Sequence, residues 1–332
     1  MGKTTILVTG GAGYIGSHVV RELLAKEYPV VVYDRNAVPP GLNSARGGPL
    51  NSVRADLADV AALDAALGRF KPRAAIHLAG YIAVGESVED PAKYYGNNVV
   101  NGLNLLNALM AHGVRRFVFS SSAAVYGMPH TVPITEDHPM APISPYGRTK
   151  WMFEQILRDF DATYGLRSIS LRYFNASGAD PSGDIGEMHD PETHLIPVVL
   201  QVPLGIRESI AIHGTDYPTR DGTCVRDYIH VSDLAAAHVL AVGALLEDGP
   251  SEVFNLGNGK GHTVREVIAA AEEVVGSRIE AREGPRRAGD PAELVASSRK
   301  AIKQLGWQPK YSELETIIRT AWKWHKRLVD RE

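Results

Sequence analysis

Short apolar runs alternate with longer amphipathic stretches along the first half of the chain. The short runs predict buried strands, and the longer stretches predict helices because their apolar residues recur with a helical period. This alternation is typical of a parallel sheet covered by helices. The strands are expected at 5–8, 30–33, 74–78, 117–121 and 168–172, and the helices at 16–26, 59–67, 98–111 and 146–164.

The alternation stops after Phe174-Asn175. The following segment, 178–192, is predicted to be a loop because it contains several glycines and prolines. A helix is predicted at 232–246. Near the end, the pattern predicts a further helix at 313–324, one face of which carries Leu314, Ile317, Ile318 and Ala321.

Together these elements predict an α/β fold, a doubly wound parallel sheet of the Rossmann type with a smaller C-terminal α/β lobe. We expect residues 1–176 to form the dinucleotide-binding domain. Residues 177–332 are expected to form mainly a substrate-binding lobe, with part of 223–247 returning to the first domain.

The composition excludes several classes of protein. Of the 332 residues, 44% are hydrophobic and 22% are charged, as in an ordinary globular protein. The net charge is −3 without a long basic run, so nucleic acid is not an expected partner. Neither a signal peptide nor an apolar run of the ~20 residues that span a membrane is recognisable. The single cysteine, Cys224, excludes an intrachain disulfide. We therefore expect a soluble cytoplasmic protein.

A glycine-rich motif, TGGAGYIG at residues 9–16, follows the first predicted strand and opens a helix. Glycines there let the backbone approach a pyrophosphate, and the helix N-terminus offers unpaired N–H groups. Asp34 ends the second strand, where a carboxylate commonly binds the adenosine ribose. It favours NAD over NADP, although the adjacent Arg35 is of a type that accommodates a 2′-phosphate. The same geometry would serve a flavin or a non-catalytic dinucleotide sensor, so catalysis needs separate evidence.

Tyr146 and Lys150 form a Tyr-x-x-x-Lys pair just after Pro145. The spacing of four places both side chains on one helix face. The lysine ammonium and the positive nicotinamide ring of NAD⁺ are expected to lower the pKa of the tyrosine, so that it can act as a base. Ser122 follows the 117–121 strand at the sheet edge where open α/β sheets bind ligands. Its hydroxyl is expected to bond a sugar oxygen, whereas without the Tyr–Lys pair it would be interpreted as a strand-end cap.

Several longer motifs resemble those of one family. TGGAGYIGSH, LAGYIAVGES, SSSAAVYG, SPYGRTK, RYFNASGA, DGTCVRDYIHV and RRAGDPAE, with Asp34 at a strand end, occur in the order of the UDP-glucose 4-epimerases, which belong to the extended short-chain dehydrogenase/reductase family. The resemblance covers nearly the whole chain. It implies a retained NAD, a Tyr–Lys–Ser catalytic group and a UDP-sugar bound by the C-terminal lobe.

Matching the motifs residue by residue implies three groups of site residues. The catalytic group consists of Tyr146 as base and acid, Lys150, which holds both the tyrosine and the nicotinamide ribose, and Ser122, which binds the 4-oxygen. The positions that resemble NAD-binding residues are Gly10, Gly13, Tyr14, Ile15, Gly16, Asp34, Asp56, Leu57, Ala79, Gly80, Asn98, Tyr146, Lys150 and Tyr173. Those that resemble substrate-binding residues are Ser122, Phe174, Asn175, His194, Leu195, Ala211, His213, Arg226, Arg287, Asp290 and Leu294.

Three positions depart from the family pattern. Ile82 stands where several relatives have lysine, His194 where asparagine is frequent, and His213 where phenylalanine is frequent. These departures concern cofactor and uracil packing rather than the reaction class. Because His194 and His213 are isolated from each other and no H-x-x-x-H or cysteine cluster occurs, no metal site is expected.

The resemblance implies interconversion of UDP-glucose and UDP-galactose. Oxidation at C4 would give a transient 4-keto sugar, which turns over about its diphosphate linkage before reduction on the other face. A UDP-N-acetylglucosamine or UDP-pentose 4-epimerase is the alternative. Leu294, which aligns with a position lining the sugar's 2-substituent, bears on that choice, although a leucine is as often core packing. A 4,6-dehydratase is less expected because Ala123-Ala124 offer no carboxylate after Ser122. Relatives are commonly dimers through a helix pair, so a homodimer is expected.

Overall fold

The computed structural model describes residues 4–43, 47–287 and 289–330. Its strands are β1 (Ile6–Thr9), β2 (Val30–Asp34), β3 (Leu50–Arg54), β4 (Ala74–His77), β5 (Arg116–Ser122), β6 (Arg167–Tyr173), β7 (Asn175–Ser177), β8 (Ile210–His213), β9 (Val225–His230), β10 (Glu252–Leu256), β11 (Gly261–Thr263), β12 (Ala281–Gly284) and β13 (Glu293–Leu294). Its α-helices are α1 (Tyr14–Ala25), α2 (Pro40–Asn43), α3 (Val60–Phe70), α4 (Val84–Glu89), α5 (Pro91–Tyr95), α6 (Asn101–Ala111), α7 (Pro145–Tyr164), α8 (Leu195–Leu200), α9 (Val231–Leu246), α10 (Val264–Val275) and α11 (Leu314–Val329).

Seven parallel strands form the main sheet in the order β3-β2-β1-β4-β5-β6-β10. β1 pairs with β2 on one side and with β4 on the other, so the direction of winding changes between β1 and β4. Open α/β sheets bind ligands outside the carboxyl ends of the strands at such a point. The predicted doubly wound Rossmann-type sheet is confirmed.

Residues of the central strands alternate between the two faces of this sheet. In β1, Ile6 and Val8 belong to the apolar core that includes residues of α1 and α9. Leu7 belongs to the core on the other side, with residues of α3, α6 and α7. Both faces are therefore covered, which explains why the strands appear in the sequence as continuous apolar runs.

The smaller lobe is built mainly from the chain after β6. β9 is the central strand of a sheet that contains β7, β11 and β13, and β8 pairs with β12. A third apolar core joins β8, β9 and β12 to α8, α10 and α11. Two later elements return to the main sheet, since α9 packs against α1 and β10 pairs with β6.

The predicted strands and helices lie close to their expected bounds, with three notable differences. β3 was not predicted because it is an edge strand with mostly exposed residues and no apolar run. β10 was not predicted either, because the short sequence EVFNL stands apart from the strand–helix alternation of the first half. The helix expected at 98–111 begins at Asn101, and a π-helical turn, Gly96–Val100, precedes it. Among the described helices, none has the length and apolar character that would let it cross a lipid bilayer.

Candidate active site

The glycine loop connects β1 to α1 at the carboxyl edge of the sheet. Gly10 has a φ of 73°, and a Cβ there would lie 2.5 Å from the backbone nitrogen of Ala79. A Cβ on Gly16 would lie 2.0 Å from the carbonyl oxygen of Gly10. Gly13 is the N-cap of α1 and offers no side-chain cap. Larger residues would break this packing, and the uncapped helix N-terminus fits the diphosphate of a dinucleotide.

The two predicted cofactor residues that follow have different environments. Tyr14 is buried, and its hydroxyl donates a hydrogen bond of 2.6 Å to the carbonyl oxygen of Gly178. Ile15 is half-buried and packs against the core beneath the loop. The first turn of α1 is thereby attached to the loop that follows β7.

Asp34 lies at the end of β2, beside the glycine loop. One carboxylate oxygen accepts a hydrogen bond from the backbone of Ala12 at 3.0 Å, and the other accepts from the backbone of Asn36 at 2.9 Å. Arg35 instead donates to the Tyr81 hydroxyl at 3.0 Å, and its guanidinium lies 5.1 Å from the centre of that ring. The carboxylate is therefore fixed against the loop, whereas the arginine is held by an aromatic side chain beyond β4.

Asp56 and Leu57 follow β3 in the neighbourhood of Asp34. The backbone of Ala55 donates to the carbonyl oxygen of Asp34 at 3.0 Å, and the Tyr33 hydroxyl donates to the carbonyl oxygen of Asp56 at 3.0 Å. The Asp56 side chain is exposed, while Leu57 is buried in the core. Asp56 and Leu57 thus place one polar and one apolar side chain next to the carboxyl end of β2.

Gly80 follows β4, which pairs with β1 at the point where the winding of the sheet changes direction. A Cβ on Gly80 would lie 3.2 Å from Oδ1 of Asn98 and 3.7 Å from Nζ of Lys150. Asn98 is buried, accepting from the backbone N–H of Tyr81 at 2.9 Å and donating to its carbonyl oxygen at 3.0 Å. Ala79 contributes the backbone that approaches Gly10. The structure therefore brings together predicted NAD residues from β1, β4, α7 and the turn before α6.

The predicted catalytic residues meet where β5 ends and α7 begins. The Ser144 hydroxyl caps α7, with Pro145 in the first helical turn, so Tyr146 and Lys150 lie one turn apart on a buried face. Ser122 ends β5, and its oxygen accepts a hydrogen bond of 3.1 Å from the backbone of Ala124. The Ser122 side chain also interacts with that of Tyr146 and lowers its pKa. The hydroxyl at the strand end therefore lies close to the tyrosine.

The electrostatic setting of Tyr146 differs from the sequence-based expectation. Burial raises the pKa of Tyr146, and the hydrogen bond from Ser122 acts in the opposite, lowering direction. Burial also lowers the pKa of Lys150 to about 8. The prediction that the lysine lowers the tyrosine pKa is therefore wrong for the protein's own groups, because removal from water disfavours the phenolate and the lysine points elsewhere. Its Nζ donates to the carbonyl oxygen of Ser120 at 2.8 Å.

Tyr173, at the end of β6, is the last of the predicted cofactor residues. Its hydroxyl is hydrogen-bonded to that of Ser120, the residue whose carbonyl oxygen binds Lys150. Burial raises the pKa of Tyr173, so its hydroxyl keeps its proton. Tyr173 therefore contributes to the same buried polar group as Lys150.

Predicted substrate residues of the smaller lobe form a polar group around β9. Arg226 and Asp290 make an ion pair, and Arg226 also donates to the carbonyl oxygen of Val225 at 2.7 Å. Asn175 in β7 donates to the carbonyl oxygen of Asp227 at 2.9 Å. The guanidinium of Arg226 is thus oriented by two acceptors.

Three further predicted residues lie along the β8–β12 pair. Ala211 pairs with Arg282 and His213 with Gly284 in parallel register. Arg287 is exposed just beyond β12 and, after burial itself, is the largest influence that lowers the pKa of His213. This neutral imidazole and the nearby guanidinium form one edge of the lobe. No direct contact between this edge and Tyr146 occurs among the interactions of the described residues.

Leu294 and Phe174 connect the smaller lobe to the catalytic residues. Both are half-buried and pack against an apolar cluster that contains Ala123, next to Ser122, and Tyr126. Leu294 is also paired with Arg226 through β13 and β9. A predicted sugar-lining residue therefore lies between the predicted diphosphate residue and the predicted catalytic serine.

Sequence and structure comparisons identify relatives with this architecture. The sequence profile of the NAD dependent epimerase/dehydratase family matches residues 6–257. The chain belongs to this family. It is 53% identical over 327 residues to a UDP-glucose 4-epimerase of Rhizobium meliloti (strain 1021), with 98% of each chain covered. The resemblance to UDP-glucose 4-epimerases that the motifs predict is confirmed, as is dependence on NAD.

Two solved structures show the same likeness in three dimensions. A UDP-glucose-4-epimerase from Stenotrophomonas maltophila with bound NAD and formylated UDP-arabinopyranose superimposes with a TM-score of 0.96, at 40% identity, covering 99% of this chain and 100% of that one. A UDP-glucose 4-epimerase from Bifidobacterium longum in complex with NAD+ and UDP superimposes with a TM-score of 0.93, at 40% identity, covering 98% of each chain.

A buried ion pair close to the predicted catalytic residues was not predicted from the sequence. Glu154 lies one turn after Lys150 and pairs with Arg172 of β6 through bonds of 2.9 and 2.6 Å. Ser121 donates to the same carboxylate at 2.5 Å. The apolar pattern of α7 gave no signal for this pair, because Glu154 on a helix is usually solvated.

A second group outside the predictions surrounds His194, the N-cap residue of α8, which Leu195 begins. His194 is hydrogen-bonded through Nδ1 to Glu187, and its backbone N–H donates to Glu192 at 2.8 Å. Nδ1 of His189 lies 3.1 Å from the same Glu187 oxygen. In the sequence the group has the spacing Glu-x-His-x-x-Glu-x-His, which differs from the H-x-x-x-H pattern on which the expectation of no metal site was based.

Proposed function

We propose that the chain catalyses the 4-epimerisation of a UDP-sugar, with UDP-glucose and UDP-galactose as its preferred pair. The observation that carries this proposal is that Ser122, Tyr146 and Lys150 lie together at the carboxyl edge of the sheet, near the glycine loop. A dinucleotide sensor needs the glycine loop but has no use for that acid–base group. The family and the close relatives support the same activity.

Tyr146 is assigned the proton transfers at the sugar 4-oxygen. Burial raises the pKa of Tyr146, and the positive charge of a bound NAD⁺ would favour its phenolate. As phenolate it takes the proton of the 4-hydroxyl when C4 is oxidised, and as phenol it returns a proton when C4 is reduced. Ser122 bonds the same sugar oxygen, and the N–H of Ala124 fixes the serine oxygen in place. Both transfers use one proton, so the protein returns to its initial state after each turnover.

NAD, when bound, supplies the oxidation and the reduction at C4. The chain's own residues would hold it. The glycine loop and the uncapped start of α1 would bind the diphosphate, and Asp34 would bind the adenosine ribose. The residues around Gly80 and Lys150 would bind the nicotinamide end. The ammonium of Lys150 has three donors and uses one for Ser120, which leaves donors for ribose hydroxyls. Asp34, fixed against the loop, excludes a 2′-phosphate by charge.

Epimerisation requires a firmly bound nucleotide and a sugar that can turn over. We assign the diphosphate to Arg226 and Arg287, since a guanidinium fork matches paired phosphate oxygens. Asp290 orients Arg226 for this purpose. The sugar space is bordered by Phe174 and Leu294, two apolar side chains that hold the ring without hydrogen bonds. His194, Leu195, Ala211 and His213 complete the proposed uridine side.

A 4,6-dehydratase is the competing reaction in the same family. Elimination needs an additional acid to protonate the leaving hydroxyl, and family members that eliminate carry acidic residues after the catalytic strand. In this chain Ala123 and Ala124 form a 3₁₀ turn at that point and have no proton to give. The geometry therefore supports epimerisation over elimination.

The test is an activity panel of UDP-glucose, UDP-galactose, UDP-N-acetylglucosamine and UDP-xylose, incubated with the purified chain and substoichiometric NAD. Products are identified by NMR. We expect UDP-glucose and UDP-galactose to reach the same equilibrium mixture from either side, with many turnovers per NAD. A 4-keto-6-deoxy product, or no 4-epimer from any substrate, would contradict the proposal.

We further propose a cytoplasmic homodimer with the NAD-binding domain over residues 1–176 and mainly substrate-binding residues beyond it, α9 and β10 completing the first domain. The dimer contact is assigned to the helix pair formed by α7 and the segment that leads into α6. Val100 and Met152 are apolar side chains exposed by 55% and 41% on these neighbouring helices. Light scattering should give twice the chain mass, and Met152→Glu should shift it toward the monomer, whereas a wild-type monomer would refute the contact.

A further inference from the structure

Four side chains with metal-ligand chemistry converge in the loop before α8. Glu187, His189, Glu192 and His194 each offer one ligand atom, and these atoms all lie within 4.8 Å of one another. The two glutamates are buried, while the two histidines are partly exposed. All four come from one stretch of eight residues that contains neither helix nor strand. A single compact group therefore links both ends of this stretch.

The spacing of these atoms is close to that of a tetrahedral site. With bonds of about 2.0–2.2 Å to nitrogen and oxygen, neighbouring ligands of a tetrahedral ion are about 3.3–3.6 Å apart. Nδ1 of His189 lies 3.1 Å from Oε1 of Glu187 and 3.8 Å from Oε2 of Glu192. Nδ1 of His194 is hydrogen-bonded to the same Glu187 oxygen and lies 4.0 Å from the other Glu192 oxygen, Oε1. One ion can therefore replace the hydrogen bond between His194 and Glu187, if these two side chains move apart and Glu192 turns one oxygen toward the centre.

The two carboxylates of the group require positive charge beside them. Two carboxylates are buried almost completely and within 4.8 Å of each other, which is unfavourable unless positive charge neutralises them. A divalent ion with two neutral imidazoles and two carboxylates gives a net charge of zero. The protonation of both histidines is the alternative source of that charge.

Hydrogen bonds from surrounding groups hold the four residues in place, as they do for the ligands of metal sites. One Glu192 oxygen accepts from the backbone of Thr193 at 2.7 Å and of His194 at 2.8 Å. The carbonyl oxygen of Glu187 accepts from the Trp324 indole at 2.7 Å. Next to Trp324, His325 is 8% exposed and its Nε2 has no partner among the described residues, although the side chain interacts electrostatically with both glutamates.

We propose that Glu187, His189, Glu192 and His194 form a binding site for a divalent transition-metal ion, Zn²⁺ being the ion that this nitrogen–oxygen set suits best. With four protein ligands the site is closed and structural. It fixes the loop that reaches Tyr14 of the glycine loop at one end, through Gly178, and α8 at the other. The ring of Tyr14 also meets His189 edge-on, with the ring centres 6.3 Å apart.

The test uses the full-length chain, purified without a polyhistidine tag, stripped with EDTA and dialysed free of chelator. After Zn²⁺ is added back and the chain is desalted, we expect one Zn²⁺ per chain by mass spectrometry. The melting temperature should rise by roughly 5 °C at free Zn²⁺ about 100 times the Kd. Co²⁺ in place of Zn²⁺ should give the intense visible absorption of a tetrahedral site.

His189→Gln should abolish the retained Zn²⁺, the thermal shift and the cobalt spectrum. His112→Gln is the matched control, because His112 pairs with a single carboxylate, Asp64, on the surface and should leave all three readouts unchanged. If His189→Gln does not fold, the cobalt spectrum of the wild-type chain still decides. If the wild-type chain retains no Zn²⁺ and Co²⁺ gives only an octahedral spectrum, the proposal is wrong. Two protonated histidines would then neutralise the carboxylates. Metal binding is measured without substrate, so a chain that binds no Zn²⁺ can still be an epimerase. Conversely, a chain without epimerase activity can still bind Zn²⁺ at this site.

Discussion

Nζ of Lys150 lies 5.8 Å from the centre of the Tyr146 ring, yet it donates its hydrogen bond to the carbonyl oxygen of Ser120. The two side chains share a helix face without bonding to each other. The lysine is therefore fixed by the end of β5, and the tyrosine hydroxyl is left to Ser122. This division separates proton transfer, which we assign to Tyr146, from cofactor binding, which we assign to Lys150.

Tyr146→Phe should reduce turnover by at least ~100-fold, the usual contribution of a positioned acid–base group. The ring still fills its buried position, so the melting temperature and the NAD content should stay close to those of the wild type. Turnover is measured with UDP-galactose as substrate. A variant that retains near-wild-type turnover would show that another group moves the proton.

Lys150→Met should stabilise the cofactor-free chain at neutral pH. Burial lowers the pKa of Lys150 from 10.5 to about 8, so below pH 8 the fold carries a buried charge whose cost corresponds to about 3 kcal/mol at most. That cost is fully present below pH 8 and disappears as the pH rises toward 10.5, where the unfolded chain also loses the proton. The free energy of unfolding, from urea titrations, should therefore differ most at pH 7 and converge by about pH 10.

The control for this measurement is Lys260→Met, since Lys260 is exposed and paired with Glu313. It should shift the free energy of unfolding by less than about 1 kcal/mol at either pH. Equal stability of Lys150→Met and the wild type at pH 7 would mean that the ammonium is better solvated than its burial indicates. NAD binding by Lys150→Met should be weakened in the same preparation, because the ribose loses its donor.

The parts of the site that could be predicted are those encoded by neighbours in sequence. The glycine loop and the Tyr146–Lys150 pair depend on spacing within one element, and the structure places each where the motif requires. The pKa of Tyr146 could not be predicted, because its sign is set by burial under elements that are distant in the chain. The edge strand β3 could not be predicted either, because it has no continuous apolar run. Such runs occur in parallel strands that are covered on both faces.

Asp34→Asn should reduce the preference for NAD over NADP. The amide keeps one acceptor for the Ala12 N–H, so the loop retains its shape, but the charge that repels a 2′-phosphate is lost. Losing a charged acceptor for the ribose should also weaken NAD binding by about 10–100-fold. Both affinities are measured by calorimetry on the cofactor-free chain.

Arg35→Ala is the comparison for this variant. Arg35 is held by Tyr81, so its removal should change the NAD:NADP ratio much less than Asp34→Asn. A larger effect of Arg35→Ala would reverse the assignment and make the arginine the residue that selects the cofactor.

Glu154→Gln should lower the free energy of unfolding by about 3–5 kcal/mol. The side chains of Glu154 and Arg172 are each 2% exposed, so the substitution leaves an unpaired guanidinium in the core. Combining it with Arg172→Met removes that charge and should restore much of the loss. Urea denaturation of the single and double variants measures both effects.

The surface pair Lys260–Glu313 again gives the reference, with Glu313→Gln expected to change stability by less than about 1 kcal/mol. A loss for Glu154→Gln no greater than this would mean that Arg172 finds other acceptors, of which the Tyr126 hydroxyl at 2.9 Å is the nearest.

Leu294→Ala should widen the substrate range toward sugars with a larger 2-substituent. Leu294 packs against the cluster that contains Ala123, beside Ser122, and it lies in the same cluster as Phe174. Its strand partner is Arg226, the proposed diphosphate ligand. A side chain between the diphosphate and the 4-oxygen borders the sugar ring, so shortening it frees space for an N-acetyl group.

The expected result is a rise of about tenfold or more in the ratio of kcat/KM for UDP-N-acetylglucosamine to that for UDP-glucose, because a few methylenes in a pocket change discrimination by about 1–3 kcal/mol. Met140→Ala is the control, since Met140 packs against the same cluster without a proposed role at the sugar. Both variants should lose some stability, but only Leu294→Ala should change the ratio. If the two variants leave the ratio equally unchanged while remaining folded, Leu294 serves the packing of this cluster, and the 2-substituent is limited elsewhere.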